Sequence, residues 1–251
     1  MIIIKSAREI EFMRAAGEIT AETLILAGEA VRPGVTTREL DAIARRHIEK
    51  RGASPSFLGY HGYPASICAS INDEVVHGIP DDRVLKEGDI VSIDLGAKYK
   101  GYHGDSSKTF AVGAISAEAK RLIEVTERSF YAGMNAFEAG KRLWVISEAV
   151  QKAAESAGFS VVRELVGHGI GQEMHEDPNV PNFVSFMKGP RLEVGMVLAI
   201  EPMINYGAKE TKTLANGWTV CTRDGSLSAH YEHTVALTEN GPEILTRVCK
   251  E

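Results

Sequence analysis

The chain repeats itself. Leu85-Lys86-Glu87-Gly88-Asp89-Ile90-Val91-Ser92-Ile93-Asp94 and Leu192-Glu193-Val194-Gly195-Met196-Val197-Leu198-Ala199-Ile200-Glu201 share one pattern: leucine, two residues, glycine, an apolar strand and a carboxylate. A second acid follows each copy, in His103-Gly104-Asp105 and in His230-Tyr231-Glu232. This duplication favours two similar halves packed as one unit, with four carboxylates where the halves meet. Four converging carboxylates cannot all stay ionised without a counter-charge. A pair of metal ions is the usual solution, and the chain reads as a two-metal enzyme.

The flanking sequence supports the same order twice. Ser6-Ala7-Arg8-Glu9 and Thr36-Thr37-Arg38-Glu39 are capping-box patterns that start helices. Ile10, Met13, Gly17 and Leu24 keep helical spacing in the first, with Gly28 as its stop. Leu40, Ile43, Ala44 and His47 do so in the second, which ends at Gly52. Residues 56–80, rich in Gly, Pro, Ser and Tyr, read as loops and short strands. Strands are expected near 89–95 and 105–112, with Lys98–His103 as the turn. Ser116 caps a helix to about Gly133, and another covers Arg142–Ala157 before Gly158. Strands follow near 160–166, 196–201, 218–222 and 230–237. The order helix, helix, strands predicts an α+β fold with pseudo-twofold symmetry: one catalytic domain of two halves, about 1–113 and 114–251. Pro33-Gly34 departs from the repeat, having no proline counterpart after Gly133.

Composition narrows the class. A net charge of -6 weighs against nucleic acid or an anionic membrane as the main partner. Cys68, Cys221 and Cys249 form no CxxC pair, which argues against a structural zinc site and for a reducing compartment. The apolar run Met1–Ile4 is far too short for a signal peptide. No run of about 18 apolar residues marks a transmembrane helix. A soluble, cytoplasmic protein is expected.

Side chains alternate along a strand. Ser92 and Asp94 therefore share one face, while Val91, Ile93 and Leu95 share the other. Asp105, Ser107 and Thr109 share a face of the next strand, so pairing brings Asp94 and Asp105 together. The same logic joins Glu201 and Glu232. Glu201 ends a run that should be buried, where an ionised carboxylate needs a cation or hydrogen-bond donors. His168, set among glycines in Gly167-His168-Gly169-Ile170-Gly171, is the candidate nitrogen ligand. His175 lies outside the i, i+4 spacing of a helical metal site and reads as a hydrogen-bond donor. His77, in Val76-His77-Gly78-Ile79-Pro80, suits a positioned catalytic group. His103 and His230 precede an acid by two residues in each half and read as partners of the ligands. Four oxygen donors and one nitrogen suit Mn²⁺, Fe²⁺, Co²⁺ or Zn²⁺.

With these residues in place, the chain resembles the methionine aminopeptidases, in their short bacterial type I form. The specific segments are Gly59-Tyr60-His61-Gly62-Tyr63-Pro64, Val76-His77-Gly78-Ile79-Pro80, Ser92-Ile93-Asp94, Gly104-Asp105-Ser106-Ser107-Lys108-Thr109, Gly167-His168-Gly169-Ile170-Gly171, Ala199-Ile200-Glu201-Pro202-Met203 and Ser228-Ala229-His230-Tyr231-Glu232-His233-Thr234. The resemblance implies the pita-bread fold, a curved antiparallel sheet backed by two helix pairs. It implies two divalent metal ions. Asp94 and Asp105 would bind one; Asp105 and Glu232 would bridge to the second, which also takes His168 and Glu201. Glu201 would accept a proton from the attacking water, His175 would stabilise the oxyanion, and His77 would contact the scissile peptide. Phe57, Tyr60, Tyr63, Cys68, Met174 and Trp218 would surround a methionine side chain, with Phe57 standing where cysteine is common and Met174 where an aromatic is common. The substrate would be a nascent polypeptide or peptide whose second residue is small. A monovalent-cation site near Asn72 and Ser228, ribosome contact and a monomeric state are further expectations. A proline-specific aminopeptidase or prolidase of the same fold is the alternative. Such enzymes usually carry an extra N-terminal domain, for which there is no room before Ser6. A non-catalytic peptide-binding relative is the other, though such proteins usually lose ligands.

Overall fold

The computed structural model describes residues 1–248. Helix α1 spans Ala7–Glu29 and α2 spans Thr37–Lys50, each opened by a complete capping box, from Ser6 with Glu9 and from Thr36 with Glu39. The second pair, α3 (Ala117–Asn135) and α4 (Trp144–Glu155), follows the first strands. Ser116 caps α3 through a hydrogen bond from the Ala119 N–H. No side chain caps α4, and its first turn starts later than the spacing predicts because Arg142 is drawn into a bridge with Arg191.

The main sheet is antiparallel throughout. Its strands lie in the order Ser54–Pro55, Ile90–Tyr99, Tyr102–Ala111, Glu232–Thr238, Val197–Ile200, Gly167–Gly169 and Glu176–Val180. Ile67–Ile71 also pairs with Ile90–Tyr99, and Gly241–Ile244 with Glu232–Thr238. Two three-stranded sheets flank it; one joins Thr211–Thr213, Val220–Thr222 and Glu74–Val76.

Some boundaries differ from the sequence reading. The first hairpin runs through Tyr99 and resumes at Tyr102, leaving a connection of only Lys100 and Gly101. Both residues hold positive φ, 48° and 86°, the geometry of a tight turn that continues strand twist. Of the region 160–166, only Ser160–Val161 forms a strand. The 218–222 strand begins at Val220, and the 230–237 region splits into Ser228–His230 and Glu232–Thr238. Cys68 and Cys221 are free and buried. Cys249 lies outside the described residues. No helix among the described residues is long and apolar enough to cross a membrane.

The alternation of side chains decides what each face does. Val91, Ile93 and Leu95 pack with Leu24 and Ala27 of α1 and Leu40 and Ala44 of α2. Leu198 and Ile200 pack with Phe130 of α3 and Ile146 and Val150 of α4. The acids therefore face the opposite, concave side. Helix α1 crosses closest at Gly17, where a Cβ on Gly104 would come within 2.8 Å of the Gly17 Cα. Only glycine permits this approach. Thr20 of α1 donates to the Gly104 carbonyl at 3.2 Å, fixing the backbone beside Asp105.

Candidate active site

The strand register sets the acids. Asp94 stands opposite Ser107 and Asp105 opposite Gly96, so the two aspartates are diagonal neighbours on one face. Ser92 and Thr109, one step further along that face, share a hydrogen bond of 2.8 Å. Glu232 pairs with Ser107 across the seam between the halves, and Thr234 pairs with Ala199. His168 pairs with Ala199 from the other side. Thr234 locks the seam twice: its hydroxyl accepts from the Asp105 N–H and donates to the Asp105 carbonyl, both at 2.9 Å. The Asn182 side-chain amide donates to the Glu201 carbonyl at 2.9 Å and holds that strand end.

Asp105, His168 and Glu232 bring one ligating atom each within 4.8 Å of one another. The His168 Nε2 is 3.8 Å from Asp105 and 3.6 Å from Glu201. Its Nδ1 lies 2.9 Å from the Gly169 carbonyl, which can only accept, so Nδ1 carries the proton. The bare Nε2 lone pair then faces carboxylate oxygens, which is repulsive unless a cation lies between them. Burial lifts Asp94 to about 7. Burial and neighbouring carboxylates raise Asp105, Glu201 and Glu232 well above the usual range. Burial and the nearby His175 push His168 down to about 3, so it stays neutral. Asp94 Oδ1, Asp105 Oδ1 and Glu232 Oε1 are buried without any hydrogen-bond partner. Unpaired buried acceptors beside a neutral imidazole fit a divalent cation and little else.

The four carboxylates line a cavity of roughly 150 Å³. A space of that order admits a benzene-sized group in an apolar core. Phe57, Tyr60, Tyr63, Cys68, His77, Met174, His175 and Trp218 line the cavity together with Asp94, Asp105, His168, Glu201 and Glu232, whereas His103, His230, Asn72 and Ser228 do not. Cys68 stands directly opposite Asp94 in the sheet. The Tyr63 hydroxyl donates to the Ile67 and Gly78 carbonyls, both at 3.1 Å, and its ring meets Trp218 edge-on. His175 hydrogen-bonds the Tyr60 hydroxyl through Nδ1 at 2.7 Å, and its ring lies 4.1 Å from that of His168. Burial lowers His77 to about 4 and also lowers His175. The loop bearing Met174 and His175 is anchored by a buried ion pair between Lys5 and Glu176.

His61 also lines the cavity. Its signal was its place between Tyr60 and Gly62; its left-handed backbone, φ 48°, turns the ring toward the mouth and edge-on to Tyr60. His103 does not join the carboxylates. Its Nδ1 is satisfied by the Ser56 hydroxyl at 2.8 Å, away from the acids. His230 does face them. Asn72 and Ser228 are adjacent, the Ser228 N–H donating to the Asn72 carbonyl at 2.8 Å.

The sequence profile of metallopeptidase family M24 matches residues 11–239. The chain belongs to that family. Among M24 relatives, methionine aminopeptidase 1 of Bacillus subtilis (strain 168) is 57% identical over 248 residues, covering 99% of this chain and 100% of that protein. The crystal structure of methionine aminopeptidase from Rickettsia prowazekii superposes with a TM-score of 0.96 at 43% identity, covering 98% and 100% of the two chains. The prolidase of Pyrococcus furiosus shares the architecture at a TM-score of 0.79 and 25% identity, covering 99% of this chain but 66% of that one. The curled antiparallel sheet backed by two helix pairs is the pita-bread fold of these M24 enzymes.

Proposed function

We propose that this M24 enzyme removes the N-terminal methionine from nascent proteins and peptides whose second residue is small. The observation that carries the reading is a small cavity whose wall combines aromatic and sulfur-bearing side chains with the four carboxylates. The 57% identity to a methionine aminopeptidase, against 25% to a prolidase, favours methionine over proline recognition. The two halves act as one catalytic unit, because neither holds all the ligands.

Asp94, Asp105, His168, Glu201 and Glu232 would hold two divalent ions drawn from Co²⁺, Mn²⁺, Fe²⁺ or Zn²⁺, for which their oxygen and nitrogen donors are suited. When bound, the ions supply Lewis acidity that polarises the scissile carbonyl and acidifies a water near neutral pH. The protein does the rest. Phe57, Tyr60, Tyr63, Cys68, Met174 and Trp218 enclose the thioether, which packs well on aromatic rings and sulfur. Glu201 accepts the water's proton and returns it to the leaving amine. With the Tyr60 hydroxyl donating to Nδ1, His175 carries its proton on Nε2 and donates it to the developing oxyanion. His77, held neutral, contacts the scissile amide. The cytoplasm, where nascent chains occur, is the expected location; contact with the ribosome, a monomeric state and a monovalent cation near Asn72 and Ser228 complete the reading.

The test is methionine release from Met-Ala-Ser by metal-stripped protein titrated with each of the four ions, beside Ala-Pro peptides. Metal-dependent release from Met-Ala-Ser is expected. Preference for the proline substrate would overturn the specificity.

A further inference from the structure

His230 is buried against the carboxylates, and neither of its ring nitrogens has a hydrogen-bond partner. Buried polar groups are almost always paired, so such an exception asks for a reason. Its Nε2 lies 3.7 Å from Glu201 Oε2 and 4.0 Å from Glu232 Oε2. The backbone that carries the ring is pinned at both polar groups. The Thr109 hydroxyl accepts from the His230 N–H and donates to the His230 carbonyl, each at 2.9 Å. That commits the single Thr109 proton, so the Ser92 hydroxyl, 2.8 Å away, must donate to Thr109. A relay from the first half thus fixes the backbone of a second-half histidine whose ring faces two acids.

We infer that His230 is a positioning residue: its Nε2–H donates to Glu201 and holds that carboxylate in the orientation the metal site needs. The inference rests on reading Glu201 as part of that site. A small rotation of the Glu201 side chain closes 3.7 Å to hydrogen-bond length. Nδ1 then keeps only an unfilled lone pair. Direct ligation fits less well. All five proposed ligands line the cavity, and His230 is absent from its wall. The partner of an acid ligand is commonly worth as much to the site as a ligand, since it sets the ligand's angle.

The experiment uses the full chain, stripped of metal, with Co²⁺ as the probe. Calorimetric titration and the visible Co²⁺ spectrum are recorded for wild type, His230→Leu, His230→Gln and His230→Asn, with thermal unfolding to verify folding. His230→Leu should weaken Co²⁺ binding about 10–100-fold. Its kcat on Met-Ala-Ser should fall while KM stays within about twofold. His230→Gln, whose amide N–H reaches Glu201, should recover most of both. His230→Asn, one methylene shorter, should not, and it serves if the leucine variant does not fold. Unchanged Co²⁺ affinity in His230→Leu and His230→Asn would overturn the proposal. So would equal losses in all three variants with the Co²⁺ spectrum of a lost nitrogen ligand, which would make His230 a ligand. Failure of the methionine reading would appear separately, as no release by wild type despite these affinity differences.

Discussion

The two halves reach the same chemistry by different registers. In the first, Asp94 and Asp105 sit on strands joined by Lys100 and Gly101 alone, and they face each other diagonally. In the second, Glu201 and Glu232 lie just beyond the His233–Ile200 pair, with the strands Met203–Asn205, Thr211–Thr213, Val220–Thr222 and Ser228–His230 between them in the chain. The histidines diverge as well: His103 is satisfied by Ser56, whereas His230 is left facing carboxylates. The repeat therefore preserves where the acids converge, not how the strands align. Freed from a tight hairpin, the second half carries the excursion that brings Trp218 to the cavity.

The sharpest way to break the comparison is to remove one acid from each half. Glu201→Ala, which takes away the proposed base as well as a ligand, should lower kcat for Met-Ala-Ser by about 10³-fold or more. Asp94→Asn should cost less. Equal losses would mean the halves contribute alike. Metal removal tests the carboxylates together. Without a cation, buried Asp94, at about 7, and the other three acids keep protons that the unfolded chain has released. The histidines oppose this at lower pH, since His168 and His230, near 3, and His77 and His103, near 4, are charged only after unfolding. Above about pH 7.5, a full unit over the unfolded value, nearly all of them are neutral in both states. There the acids alone set the slope, and stability must fall as pH rises. Melting in EDTA from pH 7.5 to 8.5 should show Tm dropping by about 5 °C. Saturating Mn²⁺ should abolish the drop, and a rising metal-free Tm would contradict the convergence.

Next in size are the cavity walls. Met174→Ala and Trp218→Ala should raise KM about tenfold with a smaller change in kcat, as expected for lost apolar packing. A kcat-dominated loss would assign these side chains to the chemistry instead. Smallest is His103→Gln, which should leave Co²⁺ affinity and kcat within about twofold of wild type, in contrast to His230→Leu. A tenfold loss would restore the symmetry that the structure denies.

Much of this was legible in the chain because it rests on local rules. The capping boxes at Ser6 and Thr36 fixed two helix starts, and strand alternation placed Asp94 and Asp105 on one face. The cavity residues came from motif resemblance rather than from periodicity. What sequence could not supply depends on partners distant in the chain. Nothing local distinguishes His103 from His230, since each precedes an acid by two residues; the difference is Ser56 beside one and Glu201 beside the other. Likewise, the extent of the first hairpin depends on Lys100 adopting a positive φ, which its side chain does not advertise.

The hydroxyl locks at Thr109 and Thr234 carry a consequence for timing. Each binds a strand of one half to a strand of the other, and each acts within a few residues of an acid. A chain still emerging during synthesis, with residues beyond about 200 not yet made, has Asp94, Asp105 and His168 but lacks Glu232 and both partners of these locks. It cannot assemble the carboxylate cluster. The group of acids is therefore complete only once the strand Glu232–Thr238 is in place, so a product truncated before it lacks part of the site.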